Sequence, residues 1–415
     1  MAEAPASSAR CGIDTVAIER IERLLRETPP DDLLKLYSVD ELRECGDGPG
    51  RAASLAARFA AKEACLKLFP RETALNLITA MDFAVARDAY GAPRVTCSPA
   101  AEAVLGRHRI GSISLSMTHD RTSASAVALA EPATMPVPLS GRLLFHLLPL
   151  RRRVVLDNLR RVYGATVPEP EIEHIAQAHY AHLWRLLPEF LAFPWLTPAQ
   201  RAARARIENM DAIVAAHAKG KGVILLTGHF GNWEVCAAAA IGNFPELRGT
   251  FYFVRRPFKP RWLDAVIIRR FRQAGFGVLP KSGSLDAILE RLAAGNIVVF
   301  PFDQHAGPKD GVLVDFFGHP AGTFRSVALI AQASGAPVLP MSSWRDSDGR
   351  HVLRFEAPVE LVERDDVGEE IRVNTRLFNA SLERMILRHP EHWWWVHRRW
   401  KEWPARKPRG ARRRG

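Results

Sequence analysis

The chain has 415 residues, 47% hydrophobic and 25% charged, with a formal net charge of +12. That is globular composition, long enough for two or three domains, and it excludes a fibre and a disordered chain. Five scattered cysteines (Cys11, Cys45, Cys65, Cys97, Cys236) form no CxxC pair, which argues against a zinc or disulfide framework and for a reducing compartment. Charge divides the chain: residues 1–132 carry 16 Lys+Arg against 18 Asp+Glu, and the remainder carries 41 against 27. Two units with different partners are expected. The basic half suits nucleic acid, anionic lipid or an acidic protein.

In chain order, MAEAPASSAR has no basic stretch followed by an apolar core, so no secretory leader is expected. A short strand is expected around Gly12–Ile18, a helix over Ala17–Arg26, and a longer helix around Ala52–Leu68. Strand-like runs follow (MDFAVARD, PRVTCS, SISLSMT, SASAVALA), separated by turns such as Tyr90-Gly91, which reads as α+β. EPATMPVPLSG (131–141), with three prolines, is the expected joint. Beyond it, LLFHLLPL (143–150) is far shorter than the roughly 18–20 residues of a membrane span, so it lies on a membrane or enters the core. A helical stretch covers roughly 150–217. GVILLT (222–227) then opens an alternation of strands and helices that indicates an α/β unit with a mixed sheet. The expected divisions are 1–132, a linker 133–141, 142–405, and a basic tail 406–415.

Two carboxylates stand out in the first unit. Asp14 lies inside an apolar strand, where an unpaired charge is costly. Glu63 lies on the long helix, four residues before Lys67, a spacing that by itself is common on helix surfaces. A magnesium ion between two carboxylates and a phosphate would satisfy Asp14, and nearby Lys and Arg could hold the rest of a polyphosphate.

GIDTVAIERIE, RFAAKEACLK, Tyr90-Gly91-Ala92-Pro93 and LSMTHDRTSASAVAL, in that order, resemble the motifs of the holo-acyl-carrier-protein synthases, the small phosphopantetheinyl transferases. The resemblance covers about 11–130. The family usually has a second serine where Thr118 precedes His119; the hydroxyl is kept. The resemblance implies transfer of 4′-phosphopantetheine from coenzyme A to the serine of an apo carrier protein, with Mg²⁺ on the pyrophosphate. It implies metal binding by Asp14 and Glu63, cofactor binding by Arg58, Lys62 and His119, and assistance to proton transfer by Lys67. It also implies a homotrimer.

In the second unit, LLTGHFGNWE sets His229 in a loop after an apolar strand and Glu234 in the first turn of a helix, where α/β sheets place their sites. A carboxylate bonded to one ring nitrogen fixes the tautomer, and the other nitrogen can take a proton from a hydroxyl. His229 to Glu234, then Arg255-Arg256-Pro257, Phe302-Asp303-Gln304, Phe316-Phe317-Gly318 and Trp395-Val396-His397-Arg398-Arg399-Trp400 resemble the lipid A biosynthesis acyltransferases, as does RRRVVLDNLRRVYG (151–164). The resemblance covers about 145–405. It implies transfer of an acyl chain from acyl carrier protein to a hydroxyl of a glycolipid, with His229 as base, Glu234 orienting it, and Arg256 and Asp303 supporting the dyad or the oxyanion. Arg255 rivals Arg256, and Trp393-Trp394-Trp395 is either core or a lipid-boundary belt.

That family normally begins with an apolar membrane-inserting helix, and here the first unit and the proline-rich joint stand in its place. A peripheral position on an anionic membrane surface, at the inner face of the bacterial inner membrane, is therefore expected. The combined reading is a bifunctional enzyme of a lipid pathway. The alternative is an acyltransferase whose first unit only docks carrier protein. No helix-turn-helix, zinc pattern or stacked-aromatic motif supports nucleic acid.

Overall fold

The computed structural model describes residues 9–403, apart from 149, 242–246, 248, 258, 260 and 282; the side chains of 198, 234 and 263 also lie outside the described set, as does the expected tail. Two compact units emerge. One comprises the chain up to Pro136 with Tyr163–Ile172, the other Val137–Val162 with the chain from Glu173 onward.

In the first unit the order is β1 (Arg10–Ala17), α1 (Ile18–Glu27), α2 (Pro30–Leu33), α3 (Val39–Cys45), α4 (Arg51–Leu66), α5 (Arg71–Leu77), β2 (Phe83–Arg87), β3 (Pro93–Cys97), α6 (Pro99–Arg107), β4 (Ile110–His119) and β5 (Ser123–Pro132). The strands form an antiparallel sheet in the order β1-β5-β4-β3-β2. The alternation in SASAVALAEP buries Ala124, Ala126, Ala128 and Ala130 on one face, and α4 packs against that face through Leu55, Ala60, Ala61 and Ala64. Small residues on both sides permit close approach. A Cβ at Gly12 would sit 2.0 Å from the Ala64 carbonyl oxygen, so β1 rests directly on α4.

The second unit runs α7 (Leu139–Leu147), α8 (Arg152–Tyr163, up to Val162), α9 (Glu169–Ala192, from Glu173), α10 (Pro198–Ala202), β6 (Ala205–Glu208), α11 (Met210–His217), β7 (Val223–Thr227), α12 (Trp233–Ala240), β8 (Phe251–Arg255), α13 (Arg261–Ala274), β9 (Gly277–Pro280) and α14 (Leu285–Ala293). It continues with β10 (Ile297–Pro301), β11 (Gly311–Phe316), β12 (His319–Phe324), α15 (Ser326–Ser334), β13 (Val338–Arg345), β14 (His351–Phe355) and α16 (Val367–Arg388). The seven-stranded sheet has the order β6-β14-β13-β7-β10-β8-β9. It is mixed: β13 and β14 are antiparallel, and the other pairs are parallel. All five residues of β7 are buried, as an interior parallel strand requires. Burying Val223, Ile224, Leu225 and Leu226 contributes on the order of 1.5–3 kcal/mol each.

The helical lead-in contains one departure from expectation, the short strand β6, which pairs with β14 at the sheet edge. The Phe316-Phe317-Gly318 motif is a tight hairpin turn between β11 and β12. Phe317 (φ 58°) and Gly318 (φ 82°) both take the positive φ that such two-residue turns need, and the Phe317 N–H donates to Glu383 Oε1 at 2.8 Å. The tryptophan run is core: Trp393 and Trp395 are buried. Among the described residues, no helix is long and apolar enough to cross a membrane.

Candidate active sites

In the first unit, Asp14 lies opposite Ala126 on the face of the sheet that meets α4. From α4 and its end come Glu63 and Lys67. Lys67 Nζ donates to Asp14 Oδ1 and to the Ile13 carbonyl, both at 2.8 Å. Burial first, and then the neighbouring Asp14 charge, raise the Glu63 carboxyl above its ordinary value. Its side chain has no hydrogen bond or ion pair among the described residues. Two adjacent carboxylates, one of them without a partner, are a hard-oxygen donor set suited to a divalent cation. His119 ends β4 on the same face of the sheet, two strands over and two residues along from Asp14, at roughly 12 Å.

Arg58 and Lys62, expected to meet phosphates, point elsewhere. Lys62 is fully buried and pairs with the equally buried Glu41 at 2.8 Å. Arg58 is buried and pairs with Glu44 at 2.8 Å. Freeing either would leave a buried carboxylate or cation uncompensated, so both hold α4 against α3 and its end. Residue type and helical position alone could not reveal this: α4 is apolar on the face toward the sheet, and its basic residues pair on another.

In the second unit the site follows from strand pairing. β7 and β10 are parallel neighbours with Thr227 opposite Pro301. His229 and Asp303 each lie two residues past these strand ends, at the carboxyl edge where open α/β sheets bind ligands. His229 Nδ1 lies 2.8 Å from Asp303 Oδ1, and the His229 backbone N–H donates to Asp303 Oδ2 at 2.8 Å. Trp393 Nε1–H donates to the same Oδ2 at 2.9 Å. The Asp303 side chain is 1% exposed and that of His229 19%. Burial alone would raise the Asp303 carboxyl; the His229 charge, the two His229 hydrogen bonds and that of Trp393 outweigh it and hold the group well below the carboxylate range.

The carboxylate on His229 Nδ1 is Asp303, 74 residues on in sequence. The sequence places Glu234 as the carboxylate that orients the ring, and its side chain lies outside the described residues. His229 Nδ1 faces Asp303, and the Gln304 side-chain nitrogen lies 3.4 Å from Nε2. Trp233 packs edge-on against the His229 ring at 4.9 Å between centroids.

The loop that carries His229 is built for close contact. A Cβ at Gly228 would crowd Phe230 at 2.8 Å and Asp303 at 3.1 Å. Gly231 has φ 55°, its N–H donates to the His392 carbonyl at 2.8 Å, and Phe230 bridges to Trp393. Asn232 is buried and donates to Glu189 Oε2 at 3.0 Å; Glu189 also accepts from Arg345 at 2.5 Å. This ion pair under the loop had no sequence signal, because its members come from α9 and β13.

His229 lines a cavity of about 890 Å³. Its walls include Phe251, Phe253, Phe271, Phe276, Met341 and Phe355 from the core on one side of the sheet. Arg256 also lines it, with no hydrogen bond to His229 or Asp303 among the described residues. Arg255 is engaged structurally, 2.6 Å from Asp264.

The model of the bacterial lipid A biosynthesis acyltransferases matches residues 136–402, and that of the 4′-phosphopantetheinyl transferase superfamily matches 10–127. The chain is similar to a phosphatidylinositol mannoside acyltransferase of Mycobacterium tuberculosis (28% identical over 252 residues, 59% of this chain and 75% of the relative). It is also similar to a lipid A biosynthesis lauroyltransferase of Escherichia coli (24% over 270 residues, 65% and 85%). Its first unit is similar to a holo-[acyl-carrier-protein] synthase of Moorella thermoacetica (35% over 120 residues, 29% of this chain and 91% of the relative). The chain therefore belongs to the bacterial lipid A biosynthesis acyltransferase family and carries, fused ahead of that enzyme, a transferase unit of the 4′-phosphopantetheinyl transferase superfamily.

Proposed function

We propose that the second unit moves an acyl chain from the thioester of an acyl carrier protein to a hydroxyl of a lipid or glycolipid acceptor. The observation that carries this is the His229–Asp303 dyad at an 890 Å³ cavity with apolar walls. That volume is within the usual range of ligand pockets, about 300–1,000 Å³. The acyl chain would lie among the phenylalanines. His229 Nε2 takes the acceptor hydroxyl proton as its oxygen bonds to the thioester carbonyl carbon. Asp303 stabilises the resulting imidazolium, and His229 then returns the proton to the departing thiolate. Base catalysis of this kind contributes typically ~10²–10⁴-fold.

For the first unit, the reading is transfer of 4′-phosphopantetheine from coenzyme A to a carrier-protein serine. Asp14 and Glu63 would hold Mg²⁺, which when bound offsets the charge of the donor's pyrophosphate. Lys67 spends two of its three N–H donors on Ile13 and Asp14, which leaves one for a phosphate oxygen. A homotrimer is supported by the sheet face away from α4, where Ile13 and Leu129 stand exposed on neighbouring strands.

Peripheral attachment to an anionic membrane is supported by the apolar faces of α7 and α9. These helices pack closely at Gly141, and they leave Leu139, Leu143 and Leu147 on one and Trp184, Leu187 and Leu191 on the other exposed. Trp195, just past α9, is 81% exposed.

The test compares lipid extracts of cells carrying wild-type and His229→Ala protein by mass spectrometry. Loss of one acylated lipid is expected, and its identity names the acceptor; an unchanged lipid profile overturns the reading. Apo carrier protein with coenzyme A, with and without Mg²⁺, tests the first unit. Carrier binding without turnover would instead favour a docking module.

A further inference from the structure

The carboxyl edge of the large sheet carries more than the dyad. Across β7, β10, β8 and β9 the strand ends bring, in order, His229, Asp303, Arg256 and Lys281 to one rim. Arg256 and Lys281 each follow directly on strands paired through Arg255 and Pro280, and the Lys281 backbone N–H donates to the Arg255 carbonyl at 3.0 Å. Both side chains line the same cavity as His229.

Neither cation is paired, although the Asp303 and Asp310 charges act on Lys281 from farther off. Among the described residues, Arg256 and Lys281 have no side-chain hydrogen bond and no carboxylate at ion-pair distance. Lys281 Nζ instead stands 3.6 Å over the centre of the Phe324 ring. Burial lowers its pKa to about 8, and the Arg256 charge adds to this. Two adjoining cations, one over an aromatic face and partly desolvated, are costly without an anion. Lys309 and Arg325, farther round the cavity lining, add charge of the same sign, and Asp286 and Asp310 in that lining offset part of it.

From this placement we infer that Arg256 and Lys281 form an anion subsite that grips a substrate phosphate group while the reacting carbon lies at His229. The subsite rests on the acyl-transfer reading above. Its distance from the dyad favours the donor. From β7 to β9 is three strand spacings, roughly 14 Å, a span within the reach of the thirteen bonds that separate sulfur from phosphorus in an extended pantetheine arm. A phosphate on the lipid acceptor is the other source of the same chemistry.

The test uses the full chain and three single variants, Lys281→Gln, Arg256→Gln and Lys281→Arg. Acyl transfer is measured with an acyl-4′-phosphopantetheine thioester and with the acyl-pantetheine thioester that lacks the phosphate. If the donor phosphate is gripped, both Gln variants raise KM about 10- to 100-fold for the phosphorylated donor only. In that case kcat changes little, and Lys281→Arg restores most of the loss. If the KM of a phosphorylated acceptor rises instead, while its dephosphorylated form is unaffected, the subsite reads the acceptor. If every KM is unchanged in both Gln variants, the inference is overturned. Should no donor support acyl transfer in the wild type, the broader reading fails and the subsite is still read by calorimetry. Inorganic pyrophosphate binding would then fall in Lys281→Gln relative to wild type, the first unit contributing equally to both, and equal binding would refute it.

Discussion

Asp303→Asn is the most informative single change in the second unit. The native carboxylate accepts three hydrogen bonds, two at Oδ2 and one at Oδ1. An asparagine keeps its carbonyl toward the two donors at Oδ2, the His229 backbone N–H and Trp393 Nε1–H. Its amide then faces His229 Nδ1 and donates to it. That reverses the tautomer: Nδ1 becomes the acceptor and Nε2 carries the proton. The base is lost with the ring still in place, so kcat should fall by ~10²–10⁴. Stability should fall by only about 1 kcal/mol, because a charge-assisted bond is exchanged for a neutral one. The assay is acyl transfer from acyl carrier protein into lipid, beside a urea titration and the ¹⁵N shifts of the His229 ring. The double variant with His229→Ala should be no slower than His229→Ala alone, since the two act as one unit. A variant within threefold of wild type, or independent effects in the double variant, would refute the assignment of Asp303 as the orienting carboxylate.

Other outcomes follow from the same geometry. Glu63→Gln should abolish phosphopantetheinyl transfer yet raise the melting temperature. The Glu63 carboxyl is raised by burial and by Asp14, so its charged form costs stability at neutral pH. Mg²⁺ should raise the melting temperature of wild type and not of this variant, and equal shifts in both would remove Glu63 from the metal site. Glu189→Ala strands the buried Arg345 and should destabilise the second unit by about 3–5 kcal/mol in chemical denaturation; a loss below about 1 kcal/mol would contradict the pairing. Burial lowers His179 and His351 to about 4 and His389 to about 3, and also holds His182 well below its ordinary value. The unfolded chain therefore binds more protons between the ordinary histidine value near 6.5 and those folded values, so stability is lost as pH falls through that window. Each histidine contributes up to about 1.4 kcal/mol per pH unit there. Urea midpoints that stay level from pH 6.5 to 4.5 would refute their buried neutral state.

Much of the architecture is written in local sequence. The five-residue run VILLT reads as an apolar strand between turn signals, and it sets His229 in the loop beyond its carboxyl end. The alternating alanines of β5 announce a face covered by a helix of small residues, and Gly12 and Asp14 fall on that face by period two. Asp14, Glu63 and Lys67 stand in motifs that carry the family resemblance, and the packing of β1 on α4 brings them together.

What sequence could not decide is which charges meet which. Glu234 is five residues from His229 and Asp303 is 74 residues away, yet Asp303 holds Nδ1 because β7 and β10 are paired neighbours. Lys62 sits in a family-like motif, and only the packing of α3 on α4 assigns it to Glu41 rather than to a phosphate. The Arg256–Lys281 rim, the Glu189–Arg345 pair and the cavity likewise join segments scattered over the chain. Periodicity reports which face of an element is buried. The partner of a buried charge depends on strand order and register, which arise from contacts that local spacing does not encode.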